Sequence, residues 1–101
     1  MGEQARALLM ECDEVLVEWG QEYGDAKTLF DNISGRFTLV LGRYVSPYNC
    51  ARLMAELKAA RLDTGFKDDS LLDQINYLAL ASELNLRDDS QWVDTGPQNN
   101  C

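Results

Sequence analysis

The chain has 101 residues, 46% of them apolar, with a formal net charge of −8 and no histidine. That length bounds it to one domain, or to part of one that is completed by assembly. The acidic balance argues against nucleic-acid backbones as partners, and the missing histidine removes Ser–His and Cys–His nucleophilic machinery and the usual zinc sites.

Two prolines, seven glycines and long periodic runs argue against disorder. Cys12, Cys50 and Cys101 are odd in number and widely spaced, with no CxxC. They read as two small core residues and one tail thiol in a reducing compartment. Met1 to Met10 carries Glu3 and Arg6 and lacks the hydrophobic region of a signal peptide. Met1-Gly2 opens like a myristoylation signal, but Arg6 stands where Ser or Thr is wanted. No apolar run approaches a membrane span. The expectation is a cytoplasmic protein with no membrane partner.

The spacing predicts a first helix from about Glu3 to Glu22. Ala5, Leu8, Cys12, Val15 and Trp19 form its apolar sector. Glu11, Glu14, Glu18 and Glu22 run along one edge of that sector at one-face spacings. Two readings stand side by side: a solvated helix edge, or carboxylates held at a cleft for Mg²⁺. Tyr23-Gly24-Asp25 ends the helix, with Gly24 suited to a left-handed closing residue and Asp25 to capping the next helix.

A second helix is expected from about Ala26 to Arg43, with Leu29, Phe30, Ile33, Phe37, Val40, Leu41 and Tyr44 as a wide apolar stripe. The run Phe37 to Leu41 is strand-like in composition, yet its context keeps it helical. Ser46-Pro47 marks a clean restart, an N-cap followed by proline at the first helical position. The third helix then runs to about Leu62. Asp63-Thr64-Gly65 breaks it, and the polar loop Lys67 to Ser70 leads into a fourth helix, capped by Asp69 or Ser70 and extending to about Leu84. Leu71, Leu72, Ile75, Leu78, Ala79, Leu80 and Leu84 point nearly all round that helix. Such a helix is central or is covered by another subunit; a homo-oligomer, dimer or larger, is the expectation. From Asn85 the periodicity is lost. The domain is therefore placed at 1–86 and a polar tail at 87–101, with Trp92-Val93 as a segment able to dock.

The stretch Lys58 to Tyr77 holds the densest polar chemistry. On a helix, Cys50, Met54, Leu57 and Arg61 share one side with Lys58 beside them, so two cations fall in an apolar sector. A cation seldom sits there without a partner. Asp73 stacks with Tyr77, Leu80 and Leu84 on the next helix, an inward carboxylate. The plain reading is a structural ion pair between Lys58 or Arg61 and Asp69 or Asp73, which would add little net stability. The functional reading is one polar site. Carboxylates could hold Mg²⁺, cations could hold phosphate oxygens and a tyrosine could flank a base, a combination that fits nucleoside-phosphate binding or hydrolysis.

Three blocks carry a resemblance: Tyr23-Gly24-Asp25 with Phe30, Lys58-x-x-Arg61-Leu62, and Asp68-Asp69-Ser70-x-x-Asp73-x-x-x-Tyr77. They resemble an uncharacterised, phage-associated helical family over roughly Leu8 to Leu84. That family is similar to nucleotide-modification-associated and MazG-like all-α NTP pyrophosphohydrolase proteins. Ala26, Leu29, Lys67 and Asn76 stand where its members usually carry Pro, Asn, His and Gly. The resemblance implies an all-α, four-helix bundle-like fold of the MazG-like type, an origin in a phage or prophage, and nucleotide-related work. On that basis Asp69 and Asp73, with Glu14 or Glu18, would hold Mg²⁺ and carry the chemistry. Lys58, Arg61 and Lys67 would bind phosphates, and Tyr23 or Tyr77 would contact base or sugar. The rival expectation is a non-catalytic acidic inhibitor or decoy that binds a host protein, motivated by the charge of −8 and the small size.

Overall fold

The structure is a computed structural model in which residues 1–87 are described. The expected tail, with Trp92-Val93 and Cys101, lies outside the described residues. Four helices follow one another: α1 (Glu3–Tyr23), α2 (Ala26–Leu41), α3 (Pro47–Leu62) and α4 (Asp68–Arg87). Among the described residues there is no strand, so the all-α expectation holds.

Local chemistry sets most of the boundaries. At the end of α1, Gly24 donates its N–H to the Gly20 carbonyl at 2.9 Å. Its φ of 83° and ψ of −148° belong to a region open essentially to glycine alone. Asp25 caps α2, its Oδ2 accepting from Thr28 N at 3.1 Å and from Thr28 Oγ1 at 3.3 Å. A cap of this kind contributes about 1 kcal/mol. The second helix stops at Leu41, two residues before the expected end. Gly42 turns left-handed there, at φ 73°, and donates to the Thr38 carbonyl at 2.9 Å. The strand-like run Phe37 to Leu41 is helical, as its context implied.

The link from α2 to α3 is tied back onto α2. Ser34 Oγ donates to the Val45 carbonyl, and Val45 N donates to Thr38 Oγ1 at 3.1 Å. These bonds satisfy a buried backbone stretch that lies outside any helix. They also bring Val45 into the core with Phe30, Cys50, Ala51, Ala81 and Leu84. Ser46 then caps α3, accepting from Asn49 N at 3.1 Å, with Pro47 in the first turn.

Ala51 and Ala55 are buried on α3. Small side chains let two helix backbones approach closely, and α3 and α4 form the most extensive helix pair of the fold. The expected apolar sector of α3 holds only in part. Cys50 is buried and Met54 and Lys58 are half-buried, but Leu57 and Arg61 are exposed. The buried stripe follows the alanines, which turns Arg61 outward at the C-terminal turn, where a cation suits the helix dipole.

The fourth helix begins earlier than predicted. The Lys67 carbonyl already accepts from Leu71 N at 3.2 Å. Asp69 and Ser70 therefore lie inside the first turn rather than at the cap. Ser70 is buried there, while Asp68 and Asp69 lie at the end of the helix that favours acids. This helix touches each of the other three, which fits a central position, the alternative to the subunit interface that was expected. Leu72, Ala81 and Leu84 are buried, whereas Leu78 and Ala79 remain exposed. Two polar contacts pin α1 to α4. Asn76 Nδ2 donates to the Cys12 carbonyl at 3.2 Å, and the Cys12 thiol lies 4.0 Å from the Leu72 carbonyl.

Cys12 and Cys50 are both buried free thiols, as expected. Burial pushes the Cys50 thiol up to about 11 from an ordinary 9.0. The folded chain thus holds its proton where the unfolded chain releases it. The stabilisation is complete below about pH 9 and is lost as pH rises towards 11, with a size of about 2–3 kcal/mol. Burial also raises Cys12 and Tyr77, with the same sign. Thermal unfolding followed from pH 8 to 11 is expected to show a falling midpoint. Cys50→Ala is expected to be less stable at pH 8 but to show a shallower fall.

Candidate functional site

Where α1, α2 and α4 diverge they leave a cleft of about 630 Å³, a size typical of small-molecule sites. Its wall is aromatic. Trp19 from α1 and Tyr77 from α4 pack with ring centroids 5.3 Å apart, and Phe30 from α2 meets Tyr77 edge-on at 6.5 Å. The helix periods bring these rings together. Trp19 and Tyr23 are four residues apart on α1, and Asp73 and Tyr77 are four apart on α4. The Tyr23-Gly24-Asp25 corner closes one end of the cleft.

Its charged groups are acidic, Asp25, Asp73 and Glu83, and they line it beside Trp19, Tyr23 and Tyr77. Asp73 is anchored by an ion pair. Lys58 Nζ lies 3.1 Å from its Oδ2, with side-chain exposures of 18% and 24%. Partial burial on both sides makes this a held pair rather than a solvated one. The expected opposition of α3 and α4 charges thus exists between Lys58 and Asp73. The Tyr77 phenol is pushed up from its usual range by burial, then by the Asp73 carboxylate, then by Tyr23.

The other expected site residues are distributed differently. Tyr23 lines the cleft and is also exposed to solvent. Arg61, Lys67, Asp69, Glu14 and Glu18 are exposed and do not line it. Among the described residues, no three His, Cys, Asp or Glu side chains come together to hold a metal ion. Glu14, Glu18, Asp69 and Asp73 therefore do not form the set that Mg²⁺ was expected to use, and Asp73 is engaged by Lys58. Residues missed from sequence are Trp19, read only as core, Asp25, read only as a cap, and Glu83. The available signal was Trp19 itself, an indole one turn before the Tyr23-Gly24-Asp25 corner. Indoles bury a flat face while keeping a polar edge.

Residues 7–85 match a family described as a domain of unknown function, DUF6378. The chain belongs to the DUF6378 family. The match spans nearly the same stretch as the resemblance read from the three motif blocks, and it contains the whole cleft. No curated protein and no solved structure matches the chain. No helix among the described residues of this DUF6378 domain is long and apolar enough to cross a membrane.

Proposed function

We propose that this DUF6378 domain is a nucleotide-handling protein that takes its ligand base first into the cleft between α1, α2 and α4. The observation that carries this reading is the Trp19–Tyr77 aromatic wall standing beside the Asp73–Lys58 pair. A flat ring gains about 1–3 kcal/mol by stacking on such a wall. Ring N–H groups find acceptors in the carboxylates. A phosphate group would meet repulsion from Asp25, Asp73 and Glu83, so the phosphates belong outside the cleft. Lys58, Arg61 and Lys67 precede Asp73 in the chain, towards the α3–α4 turn, and are the cations on that side, interspersed with Asp63, Asp68 and Asp69. The resemblance of the motif blocks to a phage-associated family, itself similar to MazG-like proteins, motivates the same reading. No step through Mg²⁺ is derived, because the carboxylates named for it do not gather.

Calorimetric titration with a panel of nucleoside mono- and triphosphates, with and without Mg²⁺, tests the proposal. Binding that shifts the NMR signals of Trp19 and Tyr77 is expected; a flat titration across the panel sinks it. Pyrophosphate release from the same panel scores the pyrophosphohydrolase form of the reading. Trp19→Ala is expected to weaken binding by about 10–100-fold, from the loss of about 1–3 kcal/mol of stacking. Trp19→Phe is expected to retain most of it.

A second reading, protein–protein interaction, is favoured by a different observation. Leu39 and Val40 are 84% and 83% exposed near the end of α2, followed by exposed Leu41 and Tyr44. Apolar side chains clustered in this way mark contact surfaces more often than singly scattered ones do. A homo-oligomer would cover them, and so would a host protein. Sedimentation of the wild type against a Leu39→Ser, Val40→Ser double variant separates the two. Self-association lost in the variant supports the homo-oligomer; a monomer in both removes it.

A further inference from the structure

The chemistry of the cleft narrows the identity of the base, and this inference rests on the base-first reading above. A carboxylate accepts hydrogen bonds and does not donate them. Asp25, Asp73 and Glu83 are the charged groups lining the cleft, so the ring edge that meets them must supply donors. Bases differ sharply in this respect. Guanine presents two adjacent donors on its Watson–Crick edge, N2–H₂ and N1–H, followed by the O6 acceptor. Adenine sets the N1 acceptor beside N6–H₂, and cytosine sets N3 beside N4–H₂. Uracil and thymine flank a single N3–H with two carbonyls. A carboxylate facing any base but guanine meets a lone pair alongside each donor.

Asp73 is the carboxylate placed for this task. It lies one helical turn from Tyr77 on the same face of α4, so a ring stacked on the aromatic wall brings its edge towards it. Asp25 is less suited, because its Oδ2 already serves Thr28 as the cap of α2. The Lys58 ammonium, 3.1 Å from Asp73 Oδ2 and outside the lining of the cleft, fixes the carboxylate rotamer before any ligand arrives, which lowers the cost of binding.

We propose that the cleft is a guanine-selective site, with Asp73 accepting from N1–H and N2–H₂ and Lys58 holding that carboxylate from behind. Bidentate pairing to a carboxylate adds geometric selectivity as well as strength. A base that leaves such groups mismatched is rejected more strongly than one that only loses a methyl contact.

The test is calorimetric titration of the wild-type chain with the 5′-monophosphates of guanosine, inosine, xanthosine, adenosine, cytidine and uridine. The phosphate is constant throughout, so differences report the base. Guanosine monophosphate is expected to bind at least 10-fold tighter than the adenosine, cytidine and uridine ligands. Inosine, which lacks the N2 amino group, should fall between them. Xanthosine, which carries a carbonyl there, should lose the advantage entirely. In Asp73→Asn the preference for guanosine over adenosine is expected to drop below threefold. Equal affinities, or an adenosine preference, would overturn guanine selectivity and leave nucleotide binding intact. Absence of binding by every ligand would overturn both. The ligand series requires no variant, so a folding defect in Asp73→Asn leaves the test decisive.

Discussion

Phe30→Ala is expected to lower the unfolding free energy by about 3–5 kcal/mol, the range for truncating a buried phenylalanine. Phe30 is 1% exposed and is the largest fully buried side chain among the described residues. Its companions in the core are mostly small: Cys50, Ala51 and Ala81, with Val45 and Leu84. Alanines and a cysteine cannot move in to fill the space a phenyl ring leaves, and the larger side chains packed around the cluster, such as Ile33, Met54 and Leu80, close it only in part. A domain of this size has about 5–15 kcal/mol of stability in all, so the variant stands near the edge of folding. Urea unfolding followed by circular dichroism measures the loss. A change below about 1 kcal/mol would mean that Phe30 is not the centre of the core. Phe30 also supports the edge of the Tyr77 ring, so ligand binding should fall along with stability. Phe30→Leu, which keeps most of the volume, should recover much of both.

Asn76→Asp changes almost no volume and is expected to cost about 3–5 kcal/mol near neutral pH, the scale of an uncompensated buried charge. Asn76 is fully buried, and its Nδ2 donates to the Cys12 carbonyl. Its Oδ1 has no hydrogen-bond partner among the described residues. A carboxylate here would set acceptor against acceptor and lose its water with no cation to offset the loss. Such a carboxyl resists ionisation, so its folded-state pKa lies above the unfolded value near 4. The sign follows from linkage. The defect is small below about pH 4, where both states are protonated, and grows as pH rises. Unfolding midpoints measured at pH 3.5 and pH 7 should therefore converge on the wild type only at the acid end. A uniform deficit at both would point to packing rather than charge.

Helix boundaries were legible because they are set by neighbours in sequence. Asp25, Ser46 and Pro47, and Gly24 each act on backbone groups within a few residues; Gly42 acts in the same way, although the expected helix ran through it to Arg43. The exception at the start of α4 has the same origin. Asp69 and Ser70 both have capping chemistry, and only the burial of Ser70 decides that the helix begins before them. Part of the polar site was legible too. Lys58 and Asp73 each lie on the inward face of a helix, and each needs a partner there. Arg61 shared that pattern on paper and faces solvent in the fold. Helical period alone cannot say which edge of a broad apolar sector the neighbouring helix covers.

Trp19 and Asn76 show the other half. Trp19 fits an apolar stripe as well as any core residue, and nothing local separates a buried indole from one that walls a cleft. Asn76 reads as an ordinary polar residue until α1 packs over it and strips away its water. Sequence by itself determined an acidic, all-α chain of four helices, most of their boundaries to within a few residues, and which of their positions are apolar. Caps, glycine turns and the 3.6-residue period act over a handful of residues. The tertiary structure alone decided that α1, α2 and α4 diverge around Trp19, Asp73 and Tyr77, and that Glu14, Glu18 and Asp69 stay outside. Those outcomes depend on distances between residues up to some sixty positions apart, which are set by how whole helices pack and not by any local preference.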